Sequence, residues 1–150
     1  MATKEARWVI GHRVSPVETD SDYAILQIVT PPQTPGPPPH FHDPETELFL
    51  ILSGEMEVIC DGRTQTLKAG ESVVIPRGSV HTFRNATDKE VTWITAFSPS
   101  RFTQFFVDFG VPASIPGALQ QSVSEAMIQR VVAGCSKYGM NLATMPAPSR

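Results

Sequence analysis

Two histidines one residue apart, His40 and His42, follow a run of prolines in PGPPPHFHDPETELFLILSG (35–54) and precede Glu47 and an apolar stretch. Side chains of an extended chain alternate between faces, so His40 and His42 project to the same side, roughly 7 Å apart. Two imidazoles placed in that way can converge on one point. Along the next strand Glu47, Phe49 and Ile51 share one face and Leu48, Leu50 and Leu52 the other, so both faces are apolar. A carboxylate at the start of such a strand needs a partner, because burying an unpaired charge is costly. A cation would supply one. Pro35, Pro37, Pro38 and Pro39 fix φ and reduce unfolded-state freedom, which suits a braced ligand strand. The competing reading of the same prolines is a linker or a polyproline ligand.

A third histidine enters from GESVVIPRGSVHTFRN (70–85). Gly70 and Gly78 serve turns, Pro76 ends a strand, and His81 begins another on the same face as Phe83 and Asn85. His12 has no spaced partner and reads as a hydrogen-bonded core or surface residue.

The elements that must position these groups are short runs of β-branched and aromatic residues between turn signals, the pattern of an all-β sandwich or barrel. The candidates are 7–10, 23–30, 46–53, 55–60, 63–68, 72–76, 81–85 and 90–98. Asp61-Gly62 suits the positive φ values of a two-residue hairpin turn. Inward positions on these strands include Gln27, Phe49, Phe83 and Trp93, each uncertain in face by one residue of register. After Phe97 the period changes: Phe102, Phe105, Phe106 and Phe109 recur at helical spacing and stop at Gly110. Their face packs against the barrel or a second subunit. Ser122 or Ser124 is placed to cap a second helix lined by Val123, Met127, Val131 and Cys135. Arg84 and Arg101 read as solvated charges, and the chain from Thr144 onward as frayed. This gives a β-barrel over 1–98 and a helical extension over 99–150, packed on the barrel as part of the same domain.

Composition narrows the function. A chain of 150 residues fits one domain, and at that size roughly 70% of the unfolded surface can be buried. Twelve Lys and Arg against fifteen Asp and Glu leave a net charge of −3, which offers no basic surface for nucleic acid. No apolar run approaches the ~20 residues of a membrane span. The N-terminus lacks the apolar core of a secretory signal, so the expected location is cytoplasmic. Cys60 and Cys135 lie far apart without a CxxC spacing, and are expected as buried free thiols.

Two spacings then resemble a known family. His40-x-His42, four residues, Glu47, six residues, Gly54 resembles the first cupin motif, and Gly70, five residues, Pro76-x-Gly78, two residues, His81, three residues, Asn85 resembles the second. One departure is Gly36, which sits closer to His40 than the opening glycine of the usual pattern. The resemblance implies a double-stranded β-helix of jelly-roll type, with His40, His42, Glu47 and His81 as the ligands of one divalent transition metal. Fe, Mn, Ni, Zn and Cu all suit that donor set. The chain is similar to small quercetin-dioxygenase-like cupins, which implies a metal-dependent dioxygenase acting on a small enolisable or phenolic substrate, with Glu47 as ligand and proton acceptor. The alternatives are a non-oxidative metal-dependent isomerase, lyase or hydrolase, and a non-catalytic small-molecule-binding cupin. Edge strands and the phenylalanine face point to a homodimer.

Overall fold

The computed structural model describes residues 4–149. Thirteen strands are found among them: β1 (Arg7–Val9), β2 (His12–Val17), β3 (Ala24–Thr30), β4 (Thr34–Pro35), β5 (His40–His42), β6 (Thr46–Ser53), β7 (Glu55–Cys60), β8 (Arg63–Lys68), β9 (Ser72–Ile75), β10 (His81–Asn85), β11 (Val91–Ser98), β12 (Val111–Pro112) and β13 (Met140–Leu142). One sheet runs β12-β1-β2-β3-β11-β6-β9 and the other β13-β5-β10-β7-β8, with β4 also on β10. Every pairing is antiparallel. The result is an all-β jelly roll with short helices toward the C-terminal end.

Alternation builds the barrel interior. Along β11 Val91, Trp93, Thr95 and Phe97 are buried, while Thr92, Ile94 and Ala96 are only half-buried. Leu26 from β3, Phe49 and Ile51 from β6, and Val58 from β7 of the other sheet join them in the core, each without accessible surface. The apolar area removed from water stabilises the fold at about 25 cal/mol per Å².

Several elements depart from the sequence pattern. Strand β2 was not anticipated, because Pro16 and Ser15 break its apolar run. Proline is tolerated there since β1 pairs with β2 only over His12 to Val14, leaving the Pro16 backbone outside that ladder. Gln27 lies on the outer face, exposed, opposite Ile94. Gly36 packs directly on β10: a Cβ there would stand 1.8 Å from the Phe83 carbonyl oxygen, so only glycine fits.

After β11 a 3₁₀ turn (Ser100–Phe102) leads into α1 (Thr103–Phe109), whose phenylalanines join the barrel core. Those rings are covered within the chain and leave no subunit face of their own. Helices α2 (Ala118–Ser122) and α3 (Glu125–Gly134) follow. Ser124 is the cap, its Oγ accepting from the Met127 N–H at 3.3 Å, while Val123 is half-exposed and Val131 and Cys135 are buried. Cys60 is partly buried; both thiols are free. Residues 144–149 have no regular secondary structure, yet they are held against the β7–β8 hairpin. Gly62 N–H reaches Met145 Sδ at 3.3 Å, and Arg63 Nη2 donates to Ser149 Oγ at 3.1 Å.

Candidate metal centre

Strand β5 carries His40 and His42 on one face, both buried, with half-buried Phe41 between them on the other. Its two edges are covered. On one side β10 pairs His81 directly with His40, and on the other β13 pairs Met140 with His42 and Leu142 with His40. The prolines run up to this strand, and their carbonyls serve it: His40 Nδ1 lies 2.9 Å from Pro38 O. His81 Nδ1 lies 3.0 Å from Ser79 O in the same manner. A carbonyl only accepts, so each Nδ1 donates and each Nε2 is turned toward the shared space. Donor atoms of His40, His42 and His81 all lie within 4.8 Å of one another, and the three side chains are buried. That cluster could hold a metal ion, with the tautomer already fixed by a backbone carbonyl in two of the three imidazoles.

Glu47, at the start of β6, enters the same space. Its Oε2 is 3.0 Å from His81 Nε2 and 3.3 Å from His42 Nε2, and its Oε1 accepts from Thr95 Oγ1 at 2.8 Å. Burial alone would raise the Glu47 carboxyl. The hydrogen bonds and charges of His42 and His81 outweigh burial and hold it well below the usual carboxylate range. Burial opposes a charge on His81 too, but the hydrogen bond to Glu47 and its charge prevail and raise this imidazole. His40 goes the other way: burial, then the neighbouring imidazoles of His81 and His42, lower it to about 3. It is therefore neutral at ordinary pH, the form in which an imidazole can ligate a metal.

An apolar cavity of about 50 Å³ reaches these groups. Phe97, Phe102, Trp93 and Met140 form part of its wall, and Phe102 stands edge-on to the His42 ring with centroids 4.5 Å apart. His12 also lines it but has no free nitrogen. Nε2 donates to Pro35 O at 3.2 Å, Nδ1 accepts from Thr30 Oγ1 at 2.9 Å, and Thr30 Oγ1 accepts from Trp93 Nε1 at 2.9 Å. Burial lowers His12 to about 4. It is a satisfied core histidine, as its isolation in sequence suggests.

Thr95 and Glu45 escaped the sequence reading. Thr95 shares the inward face of Trp93, and the signal was a polar residue in phase with buried aromatics. Glu45 is buried with neither carboxylate oxygen hydrogen-bonded among the described residues, and Arg101 Nε lies 3.9 Å from its Oε1. Arg101 is thus more than a solvated charge. Arg84, by contrast, is exposed and pairs with Glu57 across β10 and β7.

Comparison with known proteins supports the same architecture. Residues 27–97 match the family described as Cupin domain. The structure resembles that of KdgF from Halomonas sp., with a TM-score of 0.60 and 21% identity over 69% of this chain and 91% of that one. It also resembles a sugar phosphate isomerase from a cupin superfamily, from Silicibacter pomeroyi, with a TM-score of 0.56, 18% identity and 61% of each chain covered. In sequence the chain is 32% identical to quercetin 2,3-dioxygenase of Bacillus subtilis (strain 168) over 74 residues, 49% of this chain and 21% of that protein. The chain spans half or less of the length of the first curated relatives it matches.

Proposed function

The chain is a cupin, and from that premise we propose that it binds one divalent transition metal through His40, His42, His81 and Glu47 and acts as a dioxygenase on a small enolisable or phenolic compound. The observation that carries the reading is the convergence of three buried imidazoles on Glu47 at the end of an aromatic cavity. When bound, iron, manganese, nickel or copper would supply Lewis acidity toward an anionic substrate oxygen and a redox partner for dioxygen, whereas zinc would supply the first alone.

The chain's own residues do the rest. Pro38 and Ser79 carbonyls aim two imidazoles, and Thr95 aims the carboxylate. The phenylalanines keep water from the reacting groups, which strengthens every electrostatic contact within. Among the ionisable side chains lining the cavity, Glu47 is the one suited to take a proton from a substrate, since His12 has both nitrogens engaged. A Glu47 oxygen released from His81 would be the acceptor.

That same economy favours a second reading. A cavity with no free titratable wall residue also suits a non-catalytic small-molecule-binding module. Non-oxidative isomerase, lyase or hydrolase chemistry, in which the metal serves only as a Lewis acid, is the third. Oxygen uptake by protein loaded in turn with Fe, Mn, Ni, Cu and Zn, on a panel of enolisable and catecholic compounds, separates them. Consumption with a redox metal and none with zinc supports the dioxygenase, and silence with every metal removes it. The proposed homodimer rests on the outer face of β6 and β9, where Leu52 and Val74 are 45% and 57% exposed. A monomer in sedimentation equilibrium would end that part of the reading.

A further inference from the structure

Two hairpins in this molecule turn through two residues with φ positive at both. Asp61-Gly62, between β7 and β8, has φ of 48° and 79°; Ile10-Gly11, between β1 and β2, has φ of 41° and 90°. The first is what such a turn prefers: aspartate tolerates the left-handed region, and here its Oδ1 also accepts from the Val80 N–H at 3.0 Å. Isoleucine is among the residues least suited to that region, because its branched Cβ crowds the backbone. Nothing in the turn itself calls for isoleucine.

The strained turn is held from outside. Gly11 N–H donates to Ser122 Oγ at 3.1 Å, and that hydroxyl donates to Leu119 O at 2.7 Å. Ser122 is fully buried. On the strand side, Val9 pairs with His12, whose ring is fixed by Thr30 and Pro35. Backbone strain that the surroundings over-determine in this way marks positions where the side chain has a task. Ile10 lines the cavity that His40, His42 and Glu47 also line, and it packs against the buried core. Of the lining residues, Ile10 and Phe83 alone are half-buried; the others are buried.

We propose that Ile10 sets the size of the ligand admitted to the metal cavity, and that the ligand is a small, largely apolar molecule with one anionic oxygen group. The inference rests on the metal-site reading above. A cavity of about 50 Å³ holds only a few heavy atoms, far below the ~300 Å³ or more of ordinary ligand pockets. Any larger ligand must displace the wall where it is least packed, at Ile10 or Phe83. The wall adjoining the metal-binding groups is apolar apart from the engaged Thr95 hydroxyl and His12, so charge on the ligand belongs at the metal end.

The test uses full-length protein loaded with cobalt(II), whose visible spectrum reports ligand binding, titrated with acetate, butyrate and benzoate. Wild-type protein should prefer acetate. In Ile10→Gly, which suits the turn while removing the side chain, the acetate-to-benzoate affinity ratio should fall at least tenfold with cobalt content unchanged. An unchanged ratio in folded, cobalt-loaded variant protein overturns the proposal. Should Ile10→Gly not fold, Ile10→Val removes one methyl and should shift the ratio about threefold the same way; no shift is again fatal. Failure of the wild-type protein to take up cobalt would instead sink the metal-site reading itself.

Discussion

Replacing Thr95 with valine removes one hydroxyl from the barrel interior and little else in volume. Thr95 Oγ1 donates to Glu47 Oε1 at 2.8 Å, with both residues buried. A hydrogen bond to a charged group contributes about 1.5–3 kcal/mol. The group that aims a metal ligand typically governs affinity by a factor of about 10–100. Both routes predict a fall in metal affinity of one to two orders of magnitude for Thr95→Val, read by competition against a chromogenic chelator with Mn(II) or Co(II). Thr95→Ser keeps the hydroxyl and should recover most of it. Glu47 lies between Thr95 on one oxygen and the two imidazoles on the other, so the variant should lose orientation rather than fold. Affinity within twofold of wild type in a folded Thr95→Val protein would rule out an orienting role for Thr95.

Other residues give further outcomes. His12 sits at about 4 in the fold against 6.5 when unfolded, so the unfolded chain binds the extra proton between those values. Stability is complete above about pH 6.5 and falls as pH drops toward 4; near pH 4.5 the His12 share of the loss is about 2–3 kcal/mol. Urea unfolding of metal-free protein at pH 7 and 4.5 should show a visibly smaller loss in His12→Gln than in wild type. Gly36→Ala drives a methyl into the Phe83 carbonyl and should lower stability by about 2 kcal/mol or more, measured as a shift in denaturant midpoint. Ending the chain after Tyr138 removes β13 from the outer edge of β5. Metal affinity should drop with it, and a truncated protein with full affinity would show that β13 is dispensable to the site.

Much of this arrangement was legible because period-two alternation is a local signal. His40, His42 and Glu47 sit within eight residues, and turn glycines and prolines fix where His81 begins β10. The strands at 46–53, 55–60, 63–68 and 81–85 have the bounds expected from their sequence. What was hidden depends on partners distant in sequence. Met140–Leu142 becomes a strand only because β5 offers an unpaired edge. Ser15 and Pro16 disguise β2, which is held by β3 along its length. Gln27 fell on the wrong face because a one-residue uncertainty of register reverses every side chain. Thr95 needed the same register to be recognised as inward. The phenylalanines of α1 were seen to form one face, but sequence could not say that the barrel of the same chain covers it.

One metal ion held together by His40, His42, His81 and Glu47 is the proposal from which the rest follows. The most direct measurement is metal per chain by elemental analysis, for wild type and His42→Ala, after purification without chelator and again after incubation with each of the five metals. Wild type should carry close to one equivalent of at least one metal, and a folded His42→Ala protein should lose nearly all of it. Wild-type protein that takes up none of the five, or a variant that keeps the full equivalent, would rule out this metal centre.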